Sequence, residues 1–453
     1  MRKDDVRTMD PHLTRRTALA GAGAGVLGGL AACAPPNPGR VNDQAAIPPA
    51  DGPVTITYWA WLKDLQKVAD VFNAQQDRIR VETTWIPGGN TGGYAKILSA
   101  VSAGGGPDIA QVELRQVPEF ALAGALVDLT RYDFGSQVDA FDPGALSQVK
   151  VGDSYWAVPQ DTGPVATFYN REVLEGEMGL TPPATWEEFR ETAGIVSEAG
   201  KNLITLDPSD GSYLISWVMQ SGAVWFRPEG DGWIVDMTGD ASMRVAEFWD
   251  QILADGLVGT GYGSFSTPWM AAAGEGNVLA TISGSWSDAL IQSVPGGEGK
   301  WAVAPMPTWP DGGVASGAHG GSSAAILSNS QHPAEALEFL TWMCTDPEGI
   351  DAMIEFSGIG WSPAKDYIGE VRQQPSEFFS GQNYNEEVIL PMAQGQNLDW
   401  TWAPMMQRAQ DMVGDGMSTA VTGEVPLVDM LPATQTRIVE IMRDMGLDAE
   451  EAR

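Results

Sequence analysis

Short apolar runs alternating with amphipathic stretches, beginning at Pro53, constrain this chain more than any other feature. VTITYWAW (54–61) reads as a strand, dense in β-branched and aromatic residues. LKDLQKVADVFNAQQ (62–76) spaces its apolar residues three and four apart, the signature of one helix face. IRVETTWIP (79–87) is a second strand. YAKILSAVSAG (94–104) is a second helix, stopped by Gly104, Gly105, Gly106 and Pro107. DIAQVE (108–113) is a third short strand, and VPEFALAGALVDL (117–129) another helix. Strand–helix alternation with short connectors predicts an α/β fold: a mainly parallel sheet with helices on both faces. Such sheets bind ligands outside the carboxyl ends of their strands. Trp59, Trp61 and Glu113 stand at or just after such ends.

The chain has 453 residues, too many for one core of ordinary size, so two domains are expected. Its formal net charge is −33, from 59 acidic against 26 basic residues. A body this acidic repels phosphate backbones and anionic headgroups, so nucleic acid is excluded as a partner. The charge itself reads as solubility of an exposed surface.

The first forty residues carry an address. Arg15 and Arg16 precede TALAGAGAGVLGGLAA (17–32), uncharged but too short and too weakly apolar to span a membrane stably. It suits a signal-peptide core (1–32), and the paired arginines resemble a twin-arginine export signal. Leu30, Ala31, Ala32 and Cys33 then resemble a lipobox, whose thiol takes a lipid before cleavage. Residues 33–52, rich in Pro, Asn and Ala without apolar periodicity, read as a lipidated tether. The expected location is the outer face of the cell membrane. The chain has two cysteines. With Cys33 lipidated, Cys344 has no disulfide partner, and inside FLTWMC it reads as a small buried hydrophobe.

FNAQQDRIRVETTWIP, YAKILSAVSAGGGPDIAQVE and VPEFALAGALVDL follow one another in an order that resembles the maltose-binding-protein-like family of extracellular solute-binding proteins. The segment YWAVPQDTGPVATFYNREVLEGEMGLTPPATWEEF looks like that family's crossover. GEGNVLATISGSWS, WAVAPMPTWP, GGSSAAILSNSQHPAEALEFLTWM and GIGWSP continue in family order. No single motif decides the matter; order and spacing over residues 53–440 do. The resemblance implies two α/β lobes joined by crossovers, with a solute in the cleft between them. By analogy, residues 53–160 and 306–350 form the first lobe, and 161–305 and 351–453 the second. It further implies a monomer that hands its solute to the membrane permease subunits of an ATP-binding-cassette importer. A tethered sensor would look the same in sequence.

A neutral sugar presents hydroxyls at its rim and apolar C–H faces, so its binder needs aromatic platforms and planar polar side chains. The chain holds 17 tryptophans. Trp217, Trp249 and Trp342 lie on helical patterns and read as core. Trp286, in Ser-Gly-Ser-Trp-Ser, and Trp361, in Gly-Ile-Gly-Trp-Ser-Pro, sit among turn residues. Both also match family cleft loops, so they are expected in the cleft. Trp61, Trp225 and Trp402 fit cleft or core equally. Glu113 and Asp161 are candidate acceptors of sugar hydroxyls, or else a helix cap and a surface carboxylate. Gly320 and Gly321 either admit a ligand close to the backbone or simply turn the chain. Carbohydrate, as an oligosaccharide, is the expected solute. A polyol phosphate would require basic residues, and the candidate cleft loops are nearly free of Arg and Lys.

Three other chemistries are set aside. A glycoside hydrolase needs two carboxylates at fixed separation, and the resemblance supplies no catalytic pair. After processing, only His319 and His332 remain, with no metal-ligand pattern around them. Gly104–Gly106 and Gly274–Gly276 lack the Gly-Lys-Ser/Thr ending of a phosphate loop. No catalytic residue, metal or cofactor is therefore expected.

Overall fold

The computed structural model describes residues 45–230 and 232–452. The expected signal segment, Cys33 and most of the tether lie outside the described residues. The last part of that tether lies against the folded body: Ile47 donates its N–H to the Tyr132 hydroxyl (3.1 Å) and Ala50 to Glu335 Oε1 (2.6 Å). Among the described residues, no helix is long and apolar enough to cross a membrane.

The described residues form twelve strands: β1 (Val54–Ala60), β2 (Ile79–Trp85), β3 (Ile109–Glu113), β4 (Lys150–Val151), β5 (Ser154–Tyr155), β6 (Val158–Asn170), β7 (Phe226–Glu229), β8 (Gly232–Val235), β9 (Ala280–Gly284), β10 (Trp301–Pro305), β11 (Ala318–Ile326) and β12 (Ala449–Glu451). The main sheet has the order β10-β6-β11-β3-β1-β2, with β9 also paired to β6. β1 lies parallel to β2 and β3, as the strand–helix alternation demands. The rest of this sheet is antiparallel, so "mainly parallel" describes only its first three strands. The reason is topological. β6 and β11 run in opposite directions between the two halves of the molecule, and each must pair against strands heading the other way.

Side-chain periodicity decides which faces are covered. In the helix Leu65–Gln75, Leu65, Val68, Ala69 and Phe72 are buried, one face of 3.6-residue spacing. They join Ile56, Tyr58, Val81, Leu337 and Leu340 on one side of the first half-sheet. Ile97, Val112, Val117, Phe120 and Leu327 cover its other side. Cys344 belongs to the first of these clusters and is 1% exposed, a packed apolar group.

A second core gathers Val165, Phe168, Trp186, Trp217, Trp249, Ile282, Trp301 and Met406. Its helix Trp186–Glu198 starts at a capping box: Thr185 Oγ1 accepts from Glu188 N–H while the Glu188 carboxylate accepts from Thr185 N–H. The chain changes core between Val158 and Val165, between Ala318 and Ala324, and between Ile359 and Trp361. The lobe ends expected at 305/306 and 350/351 therefore fall inside packed stretches. Met306 and Trp309 stay on the second core, and Ala352, Met353 and Ile359 on the first.

Candidate functional site

Where the cores meet, residues from both line a cavity of about 430 Å³, within the roughly 300–1,000 Å³ usual for small-molecule sites. Its first wall comes from the carboxyl end of β3. The Glu113 carboxylate accepts from the Tyr94 hydroxyl and from Arg115 Nη2 (2.8 Å). Arg115 reaches across to Gln410 Oε1 (3.5 Å), and Gln116 Nε2 to Gln407 Oε1 (3.3 Å). Both glutamines lie on the helix Met406–Val421 of the second core, so the two halves touch directly beside the cavity. Arg115 Nε is buried without a partner among the described residues.

The second wall is built around β11. The β11–β6 ladder slips between Ala318 and Gly321, and Gly320 and Gly321 have φ of +78° and +104°. Side chains at these positions would also collide. A Cβ on Gly320 would lie 2.9 Å from Trp286 Nε1, and one on Gly321 2.7 Å from Leu114 Cδ1. Glycine here lets the Trp286 indole N–H donate to the His319 carbonyl (2.7 Å). The indole is also held edge-on by Phe265, 5.6 Å between ring centres. Its orientation is fixed before any solute arrives.

The His319 ring is tied at both nitrogens, Nε2 to Ser212 Oγ (2.9 Å) and Nδ1 to Ser283 Oγ (3.2 Å). Ser212 Oγ–H is itself directed at Asp210 Oδ1 (2.5 Å). Its hydrogen being used, Ser212 must accept from His319 Nε2–H, and Ser283 must donate to Nδ1. Burial holds His319 below the usual histidine range; Asp210 opposes this and Arg115 adds to it. The ring is the neutral Nε2–H tautomer. This order of bonds is the reverse of that at a catalytic serine, whose proton is taken by the imidazole.

Asp161 lies on the cavity margin. Its Oδ1 accepts from Ser322 N–H (2.6 Å) and its Oδ2 from Gly360 N–H (3.1 Å). Burial raises its pKa to about 6, against the opposing pull of those two backbone donors, the Ser322 side chain and Arg372. Trp402 completes the lining, buried and edge-on to Trp400 at 5.5 Å.

Glu113, Asp161, Trp286, Gly321 and Trp402 thus line one cavity. Three candidates do not. Trp61 is half-buried behind the wall, 6.0 Å edge-on to Tyr94. Trp225 is fully buried in the second core, its indole N–H donating to Ser242 Oγ (2.9 Å), so it packs rather than binds. Trp361 is 3% exposed, and its backbone pairs with Thr162 instead of opening a loop. Arg115, two positions after Glu113, supplies the one Arg or Lys of this lining. Asp210, Ser212, His319, Ser322 and Gln410 complete the polar lining, and none is among the contacts expected from the sequence. The signal for His319 was its place beside Gly320 and Gly321. Ser212 and Gln410 read as ordinary helix residues. Among the described residues, no cluster of His, Cys, Asp and Glu is arranged to hold a metal ion.

Two α/β lobes connected by paired strands, with a polar and aromatic cavity where they meet, define a solute-binding protein. Residues 59–349 match the family described as bacterial extracellular solute-binding protein, and the chain belongs to it. A lactose-binding protein of Rhizobium radiobacter is 29% identical over 262 residues, 55% of this chain and 61% of that protein. An arabinooligosaccharide-binding protein of Bacillus subtilis is 25% identical over 297 residues, 64% of this chain and 66% of its own. Each of these alignments spans less than two thirds of the relative's length. Among solved structures, the galacto-N-biose-/lacto-N-biose I-binding protein of an ABC transporter from Bifidobacterium longum, in complex with lacto-N-biose, superposes with a TM-score of 0.79. It is 28% identical, and the match covers 88% of this chain and 100% of that one.

Proposed function

We propose that the protein captures a neutral oligosaccharide in the cavity between its lobes and presents it to an ATP-binding-cassette importer. One observation carries the reading: two oriented indoles, Trp286 and Trp402, share a cavity with Glu113, Arg115, His319 and Gln410. Indole faces suit the C–H faces of a sugar, and the polar groups suit its hydroxyls. Arg115 does not turn the site towards an anion. It is paired with Glu113, and the lining holds Glu113, Asp161 and Asp210 against this one cation. The lactose-, arabinooligosaccharide- and lacto-N-biose-binding relatives support a carbohydrate, and the transporter context of the last supports delivery to an importer.

A thermal-shift panel of mono- and oligosaccharides, with amino acids and glycerol phosphates as controls, tests the ligand class. Stabilisation by a di- or trisaccharide is expected, since ligand bound at 100 times its Kd adds about 2.7 kcal/mol. A shift with amino acids alone would overturn the carbohydrate assignment.

The anchor belongs to the same reading. Cys33, following Leu30, Ala31 and Ala32, carries lipid and keeps the monomeric binder beside its permease on the outer face of the membrane. Cys33→Ser is expected to move the protein from the membrane fraction to the soluble one. A variant that stays in the membrane pellet after a high-salt wash contradicts the anchor.

A further inference from the structure

We propose that Asp161 is a positioning residue for solute capture, a single carboxylate that clasps together all three chain connections between the lobes. The inference rests on the capture reading, but its test requires no solute. The chain passes between the cores at 158–165, 318–324 and 359–361. Asp161 stands in the first passage. Its Oδ1 takes the N–H of Ser322 in the second, and its Oδ2 the N–H of Gly360 in the third.

The backbone is shaped to allow this. The β6–β11 ladder is irregular between Ala318 and Gly321 and again between Ser322 and Ser323, so the carboxylate takes an N–H where the ladder is broken. In the third passage, Thr162 and Trp361 exchange two N–H···O bonds of 2.9 Å beside the clasp. Gly360 admits the close approach, since a Cβ there would sit 2.9 Å from Thr162 O and 3.1 Å from Asp161 Oδ2. Arg372 Nη2 donates to Ile359 O (2.6 Å), and its charge favours the ionised clasp. The other charged or titratable groups around Asp161 are Tyr58 on β1 and Cys344 on the helix Pro333–Thr345. Glu113, Arg115, Asp210 and His319 line the same cavity.

An ionised carboxylate accepts both N–H bonds at full strength; a protonated one carries a hydrogen on one oxygen, which weakens the bond that oxygen accepts. Burial raises this carboxyl to about 6, so the change falls near neutral pH. Its folded value lies above the ordinary ~3.9 of aspartate. Protonation between pH 6 and 4 therefore favours the folded chain, and this group's contribution to stability rises as pH falls. The clasp loosens over the same window. Stability and lobe order move in opposite directions, which separates this effect from acid unfolding.

Nitroxide labels at Glu82→Cys in the first lobe and Glu247→Cys in the second, both exposed sites, report the distance between lobes by double electron–electron resonance. Cys33→Ser removes the competing thiol, and Cys344 is buried. In the solute-free protein we expect a narrow distribution at pH 7.5 that broadens as pH falls, with its midpoint at about 6. Asp161→Asn is expected to be broad at pH 7.5 and unchanged at pH 5, with a native circular dichroism spectrum. A wild-type distribution constant from pH 7.5 to 5 overturns the proposal, whether or not the variant folds. So does an Asp161→Asn protein that is narrow at pH 7.5 and keeps the pH response. A failed sugar screen would leave this measurement untouched.

Discussion

Trp286→Ala is expected to weaken binding of the sugar that gives the largest thermal shift by tenfold to a hundredfold. The ring is half-buried at the cavity wall and loses its place as a platform for a sugar face. Stacking contributes about 0.5–1.5 kcal/mol beyond area burial. The apolar surface that the indole and sugar cover together adds about 1–1.5 kcal/mol. The sum, of order 1.5–3 kcal/mol, corresponds to the stated loss at about 1.4 kcal/mol per factor of ten. Stability should change less, because the His319 carbonyl freed by the missing indole N–H opens onto a cavity where water can replace it. Trp286→Phe separates the two roles of the ring. It keeps an aromatic face but has no N–H for His319 O, so an intermediate loss is expected from a platform that is no longer held in place. Trp61→Ala, behind the wall, should stay within about twofold of wild type, the scale of a substitution outside the contact set. Isothermal titration calorimetry of the three variants against one sugar decides the matter. Equal losses from Trp286→Ala and Trp61→Ala would remove Trp286 from the site.

The contrast between those two tryptophans shows how far sequence alone reaches. The first half-sheet was legible because Leu65, Val68, Ala69 and Phe72 repeat at helical spacing, and the strands around that helix are dense in Ile, Val and Thr. β6 carries no strand signal in its sequence. VPQDTGPVATFYN holds two prolines and a glycine and shows no alternation, because it is buried on both faces and pairs with β11 in its first half and with β9 and β10 on either side in its second. Prolines 159 and 164 are accommodated where its ladder with β11 is irregular. The abundance of tryptophan suggests a carbohydrate site, yet Trp186, Trp217, Trp225, Trp249, Trp269, Trp301 and Trp400 are fully buried. Only Trp286 and Trp402 reach the cavity. Turn-like neighbours separated these cases poorly: Gly-Ile-Gly-Trp-Ser-Pro looks like a loop, but Gly360 and Trp361 are locked to β6 by hydrogen bonds. Ser212 and Gln410 escaped for the opposite reason. Each lies on a helix, and only the packing of one lobe against the other brings them to the same cavity.

Trp186→Ala is expected to cost about 3–5 kcal/mol of stability, the range for removing a buried Trp or Phe side chain, while leaving sugar affinity of the folded protein within about twofold. Trp186 is 0% exposed and stands among Phe189, Trp217, Phe248, Trp249 and Trp309, with ring centres 5.5–6.2 Å away. Around it, Trp217 and Trp249 are stacked at 3.9 Å and 11°. Rings packed this closely do not collapse into the space left by an indole, so the cavity persists and its lining loses dispersion contacts. The indole N–H also donates to Gln220 Oε1 (3.2 Å), whose amide nitrogen holds the carbonyls of Pro307 (3.2 Å) and Val314 (3.1 Å). Losing that donor leaves a fully buried amide oxygen unpaired and loosens the segment that follows β10. None of these residues lines the cavity between the lobes, so the damage should appear in unfolding and not in affinity. Trp85→Ala is the matched control: the same residue type, 66% exposed at the end of β2, expected to change stability by less than about 0.5 kcal/mol. Urea denaturation followed by tryptophan fluorescence reads both. A Trp186→Ala midpoint as close to wild type as that of Trp85→Ala would mean that the aromatic cluster is not what holds the second lobe together.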